Sequence, residues 1–319
     1  MLEGIPRLSV IIITYRQEQL VKRAIDSLLA QKDYIYEICI SDDCSPDGTW
    51  DVLKEYDKKY PGLFKLHRHS QNVGIFVNCE YSWTMPTGDL VYRLAGDDEC
   101  GKGWFKKVID YIRENKIDYK NEACTIYGDY CSIYPNGDSI IFHNKLVNSG
   151  VNPIYLSLRT VIGNRGACFS MNVLKKYEKV SQGKSHIAEA AMDIQLSLNT
   201  ERFYYLSYVG NIYYANIGVS TRTSSTEFFA ERQRIVPYAL SFLEKKGVTI
   251  DPKFYVYMEA NLAEKAFLNR KTIKNFLKFI ILKCRSYDWR IGIRSTGLKL
   301  TWISFVRRLP HKKPITFNF

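Results

Sequence analysis

The sequence predicts an α/β protein: a doubly wound, mostly parallel sheet followed by a basic helical extension. Three observations lead there. The run Leu8-Ser-Val-Ile-Ile-Ile-Thr-Tyr15 is continuously apolar, as a strand covered on both faces must be. Strand-like and helix-like periods then alternate with short connections, the pattern of a parallel sheet. Two of the strands run into grouped acids, Asp42-Asp43 and Asp97-Asp98-Glu99. Right-handed crossovers bring such strand ends to one edge, where open α/β sheets bind their ligands.

Each element follows in order. Residues 17–31 place apolar side chains at helical spacing (Leu20, Ala24, Leu28 and Ile25, Leu29), so a helix follows the first strand. Ile35–Ile40 reads as the second strand. Asp47-Gly48-Thr49 turns into a helix capped by Thr49 or Asp51 and stopped by Pro61-Gly62. Phe64–His67 is a short third strand, and Gln71-Asn-Val-Gly-Ile-Phe-Val-Asn78 a loop opening another helix. Leu90–Leu94 is the strand that delivers Asp97, Asp98 and Glu99. Downstream come a helix over 103–115 and a hairpin within 124–142 about Pro135-Asn-Gly137. The Gly-rich stretch 162–169 then precedes a helix over 172–178. A further helix passes Asp193 to Leu198, before an aromatic strand over Tyr204–Tyr214. Near Thr226 the character changes to basic amphipathic helix. The expected organisation is therefore 1–225, with halves meeting near residue 100, and a separate helical region 226–319.

Composition narrows the classes. With 46% apolar residues in 319, bulk disorder is excluded. Residues 1–225 hold 26 basic and 26 acidic residues, whereas 226–319 hold 19 and 7, so the net charge of +12 belongs to the second region. From Lys265 onward 14 basic residues face the single acid Asp288. The eight cysteines include no C-x2-C pair and no grouped histidines, so reduced structural thiols in a cytoplasmic protein are expected, not zinc or disulfides. No apolar leader precedes the first strand, and no run of about eighteen apolar residues occurs to cross a membrane.

The acids carry the chemistry. Adjacent carboxylates repel unless something positive lies between them, and a divalent cation bearing phosphate oxygens is the usual resident. Here Asp42-Asp43 and Asp97-Asp98-Glu99 share one sheet edge, which points to a nucleotide-and-metal site.

Four segments in order, Ser9–Tyr15, Ile40-Ser-Asp-Asp-Cys-Ser-Pro-Asp-Gly-Thr49, Gln71-Asn-Val-Gly74 and Gly88…Leu94-Ala-Gly-Asp-Asp-Glu99, resemble the successive signatures of glycosyltransferase family 2. The resemblance covers about residues 7–222. It implies the GT-A fold, a Rossmann-like nucleotide-diphospho-sugar transferase architecture, and inverting transfer in bacterial surface-polysaccharide synthesis. It also implies that Thr14 and Tyr15 line the base and ribose, that Glu18 touches the ribose, and that Asp42 or Asp43 accepts the uracil N–H. Asn72 and Gly74 close near the nucleoside. Mn2+ or Mg2+ on the diphosphate is held by Asp97, with Asp98 as second ligand or sugar contact. The chain departs from the family's Asp-x-Asp-Asp, because Ala95 stands in place of the first aspartate.

The same resemblance places the general base near the start of a late helix. Asp193-Ile-Gln-Leu196 fits, with Glu189 one turn earlier as the alternative. Asn216 stands where relatives carry a histidine. Arg222 is a candidate for the leaving diphosphate, and His186 for the acceptor. Residues 265–313 interleave cations with Phe276, Trp289, Trp302 and Phe305, which suits either a helix on an anionic membrane surface through 265–319 or a helical cap on the catalytic body.

The expectation is a glycosyltransferase peripheral to the inner face of the cell membrane. It uses a UDP-sugar donor and a saccharide or lipid-linked saccharide acceptor, and binds no nucleic acid. A nucleotidyltransferase would want a Gly-rich phosphate loop after the first strand, and residues 14–19 contain no glycine. The other alternative, a non-catalytic polysaccharide- or RNA-binding protein, would hydrolyse no nucleotide sugar.

Overall fold

β1 (Leu8–Thr14) lies inside the sheet with parallel neighbours on both sides, β2 (Glu37–Asp42) and β4 (Leu90–Ala95), and β3 (Phe64–Arg68) follows β2 to the edge. The structure is a computed structural model. It describes residues 5–148, 150, 154, 156, 165–179, 189–215, 217, 243–270, 272–287 and 315–318. Leu8, Val10 and Ile12 enter a core shared with α1 (Val21–Leu29), α2 (Thr49–Lys59) and α4 (Trp104–Glu114). Ile11 enters the opposite core with α3 (Ile75–Ser82). Because both faces of β1 are covered, its sequence shows no polar–apolar alternation.

Beyond β4 the sheet becomes mixed. β8 (Ala167–Ser170) runs antiparallel to both β4 and β6 (Cys124–Ile133), and β6 forms the expected hairpin with β7 (Ser139–His143). β9 (Arg202–Tyr214) lies parallel to β6 and antiparallel to the two-residue β5 (Glu99–Cys100). α5 (Met171–Lys175) and α6 (Glu189–Asn199) complete this half. The strand order β3-β2-β1-β4 reverses direction between β1 and β4, and that switch point is where a ligand crevice opens in sheets of this kind.

α7 (Pro252–Asn269) and α8 (Ile273–Arg285) form a hairpin with its own small core of Ala260, Ala263, Phe279 and Leu282. Phe254 and Tyr257 at the start of α7 reach into the core behind β1. All eight cysteines are free thiols. Among the described residues no helix is long and apolar enough to cross a membrane.

Several boundaries differ from the sequence expectation. Residues 17–20 form a turn, with Leu20 N and Val21 N both donating to the Gln17 carbonyl, so α1 begins at Val21. Neither Thr49 nor Asp51 caps α2. Gly48 is the N-cap, and Asp47 accepts from Thr49 N (3.2 Å) and Thr49 Oγ1 (2.5 Å) instead. A four-residue strand, β8, occupies the end of the Gly-rich stretch, too short to show a period. The expected helical region does not run through 319, because residues 315–318 form β10, which pairs in parallel with β7.

Glu37 ties the base of this sheet together. It is 3% exposed, accepts from Ser9 Oγ and Thr87 N (2.6 Å each), and pairs with Lys65. Burial opposes its ionisation, but the bonds from Lys65, Ser9 and Thr87 outweigh that and hold its carboxyl below the usual range. Its contribution to stability is therefore fully present above the ordinary glutamate value of about 4.3 and is lost as pH falls through the lower folded value. Glu37→Gln is expected to cost about 1–3 kcal/mol at pH 7. In denaturant unfolding, the gap between variant and wild type should narrow below about pH 4.

Candidate active site

The crevice is built from the carboxyl ends of β1, β2 and β4. Asp42 ends β2 fully buried, and each of its oxygens is engaged. Oδ1 accepts from Thr14 Oγ1 (2.9 Å) and Ser45 Oγ (2.5 Å), and Oδ2 accepts from Ser45 N (2.9 Å) and faces Arg68 Nε at 3.5 Å. Thr14 thus ties the end of β1 to the end of β2. Asp43, 2% exposed, turns the other way. It accepts from Val73 N (2.6 Å), Gly74 N (3.0 Å) and Asn72 Nδ2 (3.0 Å), so the 72–74 loop hangs on one carboxylate. Burial pushes its carboxyl up, and the Val73 and Gly74 amides counter part of that. Gly74 has φ +89°, a conformation that side chains resist, which is why glycine stands there.

The loop after β1 is fixed from the same side. Arg16 N donates to Ser45 Oγ (3.1 Å), and Glu18 accepts from Gly48 N (3.2 Å). Tyr15 is half-buried with the Arg16 guanidinium over its ring. Thr14, Tyr15, Glu18, Asp42, Asp43, Asn72 and Gly74 are therefore brought to one edge. Asp42 and Asp43 hold the walls of the crevice through protein donors.

The acid turn after β4 is organised by two arginines. Asp98 is buried, with Arg165 Nη1 2.9 Å from Oδ2, and the Arg165 guanidinium sits 4.1 Å over the Tyr213 ring. Glu99 faces Arg23 Nε at 3.3 Å and accepts from the Tyr214 hydroxyl (2.7 Å). Arg23 in turn lies 3.5 Å over the Tyr214 ring and donates to the Asp97 carbonyl. Consecutive tyrosines of β9 thus carry one arginine each, and each arginine neutralises one acid of the turn. Burial and the Glu99 charge push the Tyr214 hydroxyl up to about 12, so it stays a donor at neutral pH. A Cβ at Gly96 would lie 2.2 Å from Gln17 Oε1, so a side chain there would displace that amide.

Asp97, like Glu99, is half-buried. Among the described residues no group of three or more His, Cys, Asp or Glu closes on one point. A hard cation needs no such cage when it already carries phosphate oxygens and waters, since one or two carboxylates then suffice. Asp97 fits that demand, while Asp98 is already matched by Arg165.

Asp193 lies in α6, 25% exposed at its side chain, with Arg93 Nη2 at 3.2 Å from Oδ1. Arg93 belongs to β4, four residues before Asp97, so the ion pair fixes the helix against the strand that carries the acid turn. Tyr127, fully buried on β6, is close enough that the Asp193 charge adds to burial in raising its phenol. Glu189 is the first residue of α6, but its side chain lies outside the described residues, as do His186, Asn216 and Arg222. Arg23, Arg93, Arg165, Tyr213 and Tyr214 had no role assigned from the sequence. Arg93 and Arg165 both sat inside stretches singled out for other reasons.

Residues 9–177 match glycosyl transferase family 2. A segment of 114 residues is 27% identical to the poly(ribitol-phosphate) beta-glucosyltransferase of Bacillus spizizenii, covering 35% of this chain and 18% of that one. Across the curated relatives matched, the aligned segments span between 18% and 43% of the relative's length. Among solved structures, S. aureus TarS 1-349 in complex with UDP-GlcNAc superposes with a TM-score of 0.59 at 16% identity, over 86% of this chain and 79% of that chain. The mannosyltransferase PcManGT of Pyrobaculum calidifontis, in complex with GDP-Man and Mn2+, gives 0.52 at 12% identity, over 96% and 81%. At these identities the likeness establishes the shared GT-A fold.

Asp43→Ala removes the acceptor for three donors of the 72–74 loop. Hydrogen–deuterium exchange at the Val73 and Gly74 amides should then rise about tenfold or more, since each loses its buried acceptor. Exchange along β1, held through Asp42, should stay as in the wild type.

Proposed function

Because the chain belongs to glycosyl transferase family 2, we propose that it moves a sugar from a nucleotide sugar, UDP-linked, to a saccharide or lipid-linked saccharide acceptor, with inversion, in the building of a surface polysaccharide. The observation that carries this reading is the ion pair between Arg93 and Asp193, which sets a carboxylate beside the strand that delivers the acid turn to the crevice. The named relative that acts on poly(ribitol-phosphate) and the neighbour solved with UDP-GlcNAc support the choice of acceptor class and of base.

In this reading the nucleoside lies between Tyr15 and the 72–74 loop, with Thr14, Glu18, Asn72, Gly74 and the Asp42–Asp43 pair shaping its pocket. Asp193 takes the proton of the acceptor hydroxyl as that oxygen attacks the anomeric carbon, and the bond to the diphosphate breaks on the opposite side. Arg93 pairs with Asp193 and holds it in place. A divalent cation, when bound, offsets the charge of the leaving diphosphate, and Asp97 is the side chain that would hold it. Asp98 acts behind it by fixing Arg165 across the crevice, and Arg165 over Tyr213 presents a positive charge on the β9 side.

Full-length protein incubated with a panel of UDP- and GDP-sugars, with and without manganese, should release nucleoside diphosphate from one of them. Release of pyrophosphate from a nucleoside triphosphate and sugar phosphate would instead make it a nucleotidyltransferase. Asp193→Asn should bind donor normally and lose kcat about 10²-fold or more. An inactive Glu189→Gln beside an active Asp193→Asn would move the base one helical turn. Asp97→Asn should keep the fold, by circular dichroism, and lose manganese-dependent turnover; full activity of this variant would refute the metal assignment. Arg93→Ala should lower kcat with little change in the donor KM and move the acidic limb of the pH–rate profile to higher pH, whereas loss of fold alone would lower both parameters together.

A further inference from the structure

We propose that the outward face of α8 is an interfacial helix that seats the protein on an anionic lipid surface. The two helices of the hairpin divide the work. α7 turns Phe254 and Tyr257 into the catalytic core, whereas α8 packs on α7 through Phe279 and Leu282 and leaves its other face in water. That face is apolar: Ile273 is 79% exposed, Ile281 56%, Leu277 52% and Phe276 44%. At 3.6 residues per turn, Ile273, Leu277 and Ile281 fall within an arc of roughly 80°, with Phe276 on its flank.

Charge identifies what covers this face. Lys274, Lys278 and Arg285 are all exposed and follow one another along the next stripe of the helix, beside the apolar arc. α8 contains no acid, and the acid that reaches it from α7, Glu264, is matched by Lys283 on the buried side at 3.6 Å. A second copy of the same chain would set like charges against like, whereas lipid phosphates complement them. Apolar side chains in one plane with cations along their edge are what a helix lying in the headgroup boundary requires. The helix is also locally well begun, with Thr272 accepting from Asn275 N (3.2 Å), so the exposed stripe belongs to a formed helix. The inference does not rest on the reaction proposed above.

The test uses the full-length chain and sedimentation with vesicles, either phosphatidylcholine alone or phosphatidylcholine with about 30% phosphatidylglycerol. The protein should pellet with the anionic vesicles and not the neutral ones. Raising salt to about 1 M should weaken binding without abolishing it, because inserted side chains are not screened. Leu277→Glu with Ile281→Glu should lower the bound fraction about tenfold or more. Lys274→Glu with Lys278→Glu should remove the preference for anionic lipid, whereas Lys58→Glu with Lys59→Glu on α2 should leave it. Failure to bind anionic vesicles at low salt overturns the proposal. So does unchanged binding by the Leu277/Ile281 variant, and so does a dimer in sedimentation velocity that this variant dissociates without any vesicle binding.

Discussion

Asp42 and Asp43 stand side by side almost entirely out of water, and two buried carboxyl groups persist there only while their oxygens are matched by donors. The local architecture follows from that demand. Thr14 and Ser45 are drawn in to serve Asp42, which fastens β1 to β2 and curls the chain after Cys44. Asn72, Val73 and Gly74 are drawn in to serve Asp43, which pulls the loop before α3 over the same edge. Each loop is thus fastened by its own carboxylate, the turn at Ser45 by Asp42 and the 72–74 loop by Asp43.

The acid turn after β4 obeys the same rule with different partners. Asp98 and Glu99 use arginines, and the arginines use the faces of Tyr213 and Tyr214, so each charge is both paired and partly covered by an aromatic ring. This couples the β1–β4 half of the sheet to β9, the strand paired with β5 and β6. Ala95 ends β4, and the turn that follows carries Asp97 and Glu99 half-buried and Asp98 buried.

Much of this was legible from residue order. β1 announced itself by a nearly unbroken apolar run, and the two acid clusters by their position at strand ends, because both are local signals. The partners of those acids were not local. Arg165 lies 67 residues from Asp98, and Arg23 lies 74 from the carbonyl it binds, so their meeting depends on the register of the whole sheet. Cys168 read as part of an apolar strand, but the bounds of β8 were not legible, because four residues between Gly166 and Met171 are too few to show alternation. The cap of α2 was placed at Thr49 or Asp51, one or three residues past Gly48, since Asp47 reaches over Gly48 to the first helical turn. Asp193 was singled out by its likeness to a family pattern, with Glu189 as the alternative, but the arginine that pairs with it lies 100 residues away.

The strand formed by residues 315–318 has a consequence for how the protein is made. It pairs with β7 at residues 140–143, so the outer edge of that half stays unpaired until the chain beyond residue 315 has been synthesised. During translation the β1–β4 core can condense from neighbouring segments, while β7 waits with open backbone groups. The interval is one in which a chaperone, or another nascent copy, has access to the edge that the finished molecule covers with its own chain.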